Sequence, residues 1–184
     1  MSNMVNLLAF QAGWFASILW AANGSPWAAA GAALAVVALH LWRARAPRTE
    51  LKLVLAAAAA GAVWENALAM AGWIGFPSGV LTPGTAPLWM VAQWMMFATT
   101  LNLSLSWMKS RLVLAAAFGA LGGPLSYAAG ERLGAIVLID RDAAMIALAI
   151  GWALLAPLML ALARRWNGCV EAGPVPPIEG AQHA

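Results

Sequence analysis

The chain has 184 residues, 63% of them hydrophobic and only 9% charged, with a mean hydropathy of +0.78. Soluble domains carry roughly 25% charged residues, so a deficit spread over the whole length excludes a soluble domain with one anchor and predicts a polytopic membrane protein. The net charge of +3 sits in short basic clusters beside apolar runs, a pattern that orients membrane helices and argues against nucleic acid as a partner.

Six apolar runs are long enough to cross a hydrocarbon core about 30 Å thick, which takes roughly 17–25 residues. They are 5–22, 27–43, 53–75, 88–107, 112–130 and 143–163. The start, MSNMVNLLAFQAGWF, has neither a basic n-region nor a small-residue cleavage site, so the first run is expected to remain as a helix. It carries Gln11 one turn before Trp14, both candidate ligand-binding residues. Asn23-Gly24-Ser25-Pro26 reads as a tight turn into the second run. That run ends at His40, beside Trp42 and Arg43. A single interfacial histidine is more often not a metal ligand, and none is expected here.

The third run holds the most informative residue, Glu65, between Trp64 and Asn66. A carboxylate at membrane depth is costly unless it is protonated, paired or hydrated, which makes it a functional candidate by default. Two roles are open: a neutral carboxyl that bridges helices, or a group that handles a ligand or a proton. After the Pro- and Gly-rich loop 76–87, the fourth run places Gln93, Phe97, Thr100 and Ser104 on one arc, with Thr99, Asn102 and Ser106 nearly opposite. A helix polar on both sides is expected to be enclosed by its neighbours. The hydroxyls read first as interhelical hydrogen bonds, whereas the Gln93 amide has four hydrogen-bond sites to satisfy.

The fifth run contains Gly119, Gly122, Gly123 and Pro124, followed by Ser126, Tyr127, Glu131 and Arg132. Proline cannot donate to the helix ladder, so a kink or an opening is expected at Pro124. A tight interface and a binding site fit this segment equally. Arg132 lies within reach of Glu131 or of a lipid phosphate. The sixth run contains Trp152, and beyond it residues 166–184 are expected to form a disordered cytoplasmic tail. The single cysteine, Cys169, excludes an intrachain disulfide and any CxxC motif.

With the N-terminus inside, eight Lys or Arg residues fall in inner segments and two, Arg132 and Arg141, in outer ones. The positive-inside rule then gives an N-in, C-in orientation, with both termini in the cytoplasm. Several tryptophans near span ends fit interfacial belts, while Trp14, Trp64, Trp94 and Trp152 lie inside their spans and point to a core or a cavity. The expected fold is all-α: a six-transmembrane-helix bundle over 1–165. The HExxH, GxSxG, Walker A and acidic metal-cluster patterns are absent from the sequence, so neither a cofactor nor a metal is expected and enzymatic activity stays open.

Several stretches in order carry a resemblance: Phe10-Gln11-x-x-Trp14, Pro87-Leu88-Trp89, Ala98-Thr99-Thr100-Leu101, and Ser104-Leu105-x-Trp107. The most specific is Gly122-Gly123-Pro124-Leu125-x-Tyr127-x-x-Gly130, followed by Arg132-Leu133-Gly134-Ala135, with Trp152 and Pro157 in the sixth run. Together they resemble a family of small bacterial multi-pass inner-membrane proteins classed as a domain of unknown function. The resemblance implies a multi-pass membrane protein, hints at lipid chemistry, and supplies no activity or catalytic residue.

The expected function is binding or transport of a small or lipidic molecule through a polar intramembrane cavity open towards the outer side. Gln11, Trp14, Trp64, Glu65, Asn66, Gln93, Tyr127 and Arg132 are the candidate ligand-binding residues, with Gln11, Glu65 and Gln93 facing the interior. The alternatives are a lipid-modifying enzyme with Glu65 as acid or base and Arg132 on phosphate, or an accessory subunit of a membrane protein partner.

Overall fold

The computed structural model describes residues 2–169. Six helices run through it: α1 (Asn3–Ala22), α2 (Pro26–Arg43), α3 (Pro47–Met70), α4 (Leu88–Leu101), α5 (Leu112–Arg132) and α6 (Arg141–Arg165). Their starts follow local chemistry. The Ser2 side chain caps α1 by accepting from the Val5 N–H at 3.3 Å, and Asp140 caps α6 by accepting from Ala143 at 3.1 Å. Pro26 and Pro47 open α2 and α3, where the missing N–H costs no hydrogen bond.

Four helices, α1, α3, α5 and α6, are long and apolar enough to cross a membrane. Their outward faces are apolar as well, as Val63 (74% exposed) and Val113 (86% exposed) show. The chain is therefore all-helical and of membrane type.

Two runs differ from expectation in their bounds. The third starts earlier, at Pro47, which brings Glu50 into α3, and it stops at Met70, where Gly72 takes φ of 72° and closes the helix end. The fourth stops at Leu101, so α4 spans only about 21 Å. The Thr99 and Thr100 hydroxyls bond back to the carbonyls of Met96 and Phe97, each at 2.7 Å, which competes with helix continuation. Asn102 then turns away to other partners, and a short 3₁₀ turn at Ser106–Met108 leads to α5.

As expected, α4 is enclosed by its neighbours: Trp89, Trp94, Met96 and Leu101 are all buried, as are Gln93, Thr99 and Thr100. α2 and α3 pack along it, and α1 packs on α2. Buried Asn6 ties α1 to the end of α4, donating to the Thr99 carbonyl at 3.1 Å and accepting from the Ser104 hydroxyl at 2.7 Å.

α5 and α6 form a tight hairpin. A Cβ at Gly119 would lie 2.2 Å from the Trp152 carbonyl oxygen, and one at Gly123 would lie 2.4 Å from the Trp152 ring. α5 runs through Pro124 as one helix, so of the expected kink or opening the opening does not occur. Two short strands, unanticipated in the sequence, join the loops at one end: β1 (Ile74–Gly75) pairs antiparallel with β2 (Val137–Leu138). At the other end, the first part of the expected tail is ordered. Ala46 donates to the Gly168 carbonyl at 2.9 Å, and Gly168 donates to Glu50 at 2.6 Å. Residues 170–184 lie outside the described residues.

Candidate functional site

Glu65 sits on α3 with no exposed surface. Its Oε1 accepts from Trp94 Nε1 on α4 at 2.8 Å and from the Tyr127 hydroxyl on α5, so one carboxyl oxygen joins three helices. Its Oε2 is buried and has no hydrogen-bond partner among the described residues.

The aromatic groups around this carboxyl are seated by glycines. A Cβ at Gly61 would lie 2.2 Å from the Trp94 ring, and Gly123 admits Trp152 in the same way. The two rings stack at a centroid distance of 4.7 Å and an interplanar angle of 16°, and Phe97 meets Trp152 edge-on at 5.3 Å. Small residues on α3 and α5 thus allow bulky rings from α4 and α6 to meet at the centre of the molecule.

On the other side of these rings lies a cavity of about 230 Å³, walled by α1, α4, α5 and α6. Trp94, Phe97, Tyr127 and Trp152 form its inner wall; Phe10, Trp14 and Phe118 stand at its α1 and α5 sides. Phe118 is half exposed and Phe10 and Trp14 are partly so. Gln93 lines the cavity with 8% exposure, and among the described residues neither its Oε1 nor its Nε2 has a hydrogen-bond partner. The expected polar cavity is therefore apolar and mainly aromatic, with polar function concentrated at Gln93, Ser126 and Tyr127.

Of the sequence candidates, Trp14, Gln93 and Tyr127 line this cavity, and Glu65 stands behind it, bonded to its Trp94 and Tyr127 walls. The others are elsewhere. Gln11 is exposed on α1, so the expected convergence of Gln11 with Glu65 and Gln93 does not occur: it falls on the opposite side of α1 from buried Gly13 and Ser17. Trp64 packs its ring against Gly151 of α6, where a Cβ would lie 2.2 Å away. Asn66 accepts from the Ala86 N–H at 3.1 Å and donates to Ala62 at 2.7 Å, which fastens the 76–87 loop to α3. Arg132 is exposed at the end of α5, and Glu131 pairs with Arg141 instead.

A second polar cluster lies where α2 ends and α3 begins. His40 and Glu50 are both fully buried, with Nε2 and Oε2 2.8 Å apart. Glu50 Oε1 accepts from Asn102 Nδ2 and from the Gly168 N–H, both at 2.6 Å. Lys109 donates to Asn102 Oδ1. Burial holds the Lys109 ammonium below its usual range, against an opposing pull from the Glu50 charge. Burial pushes the Cys169 thiol up to about 12, and the Glu50 charge adds to that rise. His40 had no assigned role, and Glu50 fell between the second and third apolar runs. The only sequence signal for the pair was a histidine and a carboxylate flanking one short turn.

These features define an all-helical, membrane-type protein in which a buried carboxyl backs an aromatic cavity. The chain belongs to the family described as protein of unknown function (DUF2878), which matches residues 3–158. No curated protein and no solved structure matches it.

Proposed function

We propose that this chain is a bacterial inner-membrane protein that binds a lipidic molecule in the cavity between α1, α4, α5 and α6. The observation that carries this is the Gln93 amide. A buried amide without partners costs about 1–3 kcal/mol, and a ligand carrying a hydrogen-bonding head beside an apolar chain would recover that cost. The chain would lie along the aromatic walls and the head at Gln93. Glu65 acts through Trp94 and Tyr127, holding both walls in place, and is a positioning residue.

Phe10, Trp14 and Phe118 are partly exposed on α1 and α5, which supports lateral entry from the bilayer. In this proposal all six apolar runs cross the membrane, N-in and C-in, the fourth being completed beyond α4 by the turn at Ser106–Met108. The β1–β2 end then faces outwards and the ligand comes from the outer leaflet. A lipid-modifying enzyme receives less support, because Arg132 is exposed outside the cavity wall and Glu65 Oε1 is already occupied by two donors. The cavity also favours ligand binding over a purely structural accessory role.

The test is native mass spectrometry of the protein purified in mild detergent. Wild type is expected to carry bound lipid. Gln93→Leu should lose at least tenfold in affinity, about 1.4 kcal/mol. Because the substitution removes an unpaired buried amide, the same variant should melt no lower than wild type without ligand. Gln11→Leu should bind as wild type does. Equal lipid occupancy in Gln93→Leu and wild type overturns the proposal.

A further inference from the structure

We propose that His40, Glu50 and Cys169 form a binding site for a divalent transition metal of the zinc class, fastening the end of the described chain to α2 and α3. One ligand atom from each residue lies within 4.8 Å of the other two. Across a tetrahedral zinc the donors sit about 3.3–3.8 Å apart, given bonds of about 2.0–2.3 Å. Small side-chain rotations therefore close the set onto one ion.

The donors suit that ion. Imidazole, carboxylate and thiolate are the three side-chain classes that zinc takes, whereas magnesium and calcium favour oxygen alone. The surroundings resemble a supported metal site more than a simple ion pair. Glu50 Oε1 is fixed by Asn102 and by the Gly168 N–H, which orients the carboxylate from a distant part of the chain. His40 Nε2 and Glu50 Oε2 already face each other at 2.8 Å, so an ion entering there takes the place of the proton between them.

A small cavity of about 80 Å³ adjoins the cluster, lined by His40, Arg43, Arg45 and Cys169. It leaves room for a water or a small anion as a fourth ligand, so three protein donors suffice. Binding releases the thiol proton to solvent, because the thiolate is the ligand. Metal affinity should therefore rise with pH.

Cobalt substitution tests this directly. The full-length protein without a histidine tag is stripped with a chelator and titrated with Co²⁺ in detergent. One equivalent should bind per chain, with a thiolate-to-cobalt charge-transfer band in the near ultraviolet. Cys169 is the single cysteine of the chain, so the band can only report on it. In competition with a chromogenic chelator, His40→Gln and Cys169→Ser should each weaken Zn²⁺ binding at least tenfold. Absence of the band in wild type overturns the proposal. So does wild-type affinity in a folded His40→Gln protein. Should His40→Gln fail to fold, X-ray absorption on the unaltered zinc-loaded protein decides. One sulfur at about 2.3 Å with nitrogen and oxygen at about 2.0–2.1 Å supports the site. A coordination shell without sulfur, or without imidazole, rejects it.

Discussion

Glu65 was legible as important from its place in an apolar run, but its role was not. The sequence leaves a helix bridge and a proton-handling carboxyl equally open, and it is the position of Trp94 and Tyr127 that favours a clamp. This distinction can be measured. Glu65→Gln retains an acceptor for both donors, so it should stay folded, melt close to wild type and keep its bound lipid. Glu65→Leu strands the Trp94 N–H and the Tyr127 hydroxyl, each at about 1–3 kcal/mol, and should melt lower and lose the lipid. Loss of lipid in a stable Glu65→Gln protein would instead give the titratable proton the decisive part. Gln11 marks the limit of residue-level reading. Its distance along the chain from Trp14 is right for a shared face, yet α1 turns it outwards and Trp14 inwards, because the face carrying Gly13 and Ser17 is the one that meets the neighbouring helices.

At the level of elements, what decides the site is the matching of glycine to tryptophan across helices. Gly61 seats Trp94, Gly151 seats Trp64, and Gly119 and Gly123 seat Trp152. Gly123→Ala places a methyl group where the Trp152 ring already is, and overpacking of this kind costs about 1–3 kcal/mol. It should lower the melting temperature and shift tryptophan fluorescence, as Trp152 moves off Trp94. Gly31→Ala on α2, where a Cβ meets nothing within 4 Å, should leave both unchanged or raise stability slightly. A differential scanning measurement on the two variants side by side separates close packing from general intolerance of alanine. The six helices themselves were legible, since each apolar run lies between polar or Pro- and Gly-rich turns. Their ends were less so. α4 stops early because Thr99, Thr100 and Asn102 have better partners off the helix axis than along it, and such partners are distant in sequence.

For the whole molecule, the proposed orientation rests on the distribution of Lys and Arg. In a Cys169→Ser background, cysteines placed in the 76–87 loop should react with an impermeant maleimide in intact cells, and cysteines at 44–46 should react only after permeabilisation. The opposite labelling pattern would reverse the topology and move the ligand to the inner leaflet. The six-helix architecture was readable because composition acts locally on each segment. The joins between segments were not, since the β1–β2 pairs link residues 64 and 62 positions apart and the Gly168–Glu50 contact links residues 118 apart.

Those two joins have a mechanical effect. One fastens the α5–α6 hairpin to the α3 end at Trp73–Gly75, and the other fastens the far end of α6 to the start of α3. A hairpin secured at both ends cannot swing outwards like a door. In the proposed function, the cavity beside it would keep a nearly constant span between its helices, and ligand exchange would fall to rotation of Phe118 and its neighbours at the rim. Such a box would discriminate by girth, admitting a slender chain of fixed cross-section and turning away a branched one, however apolar.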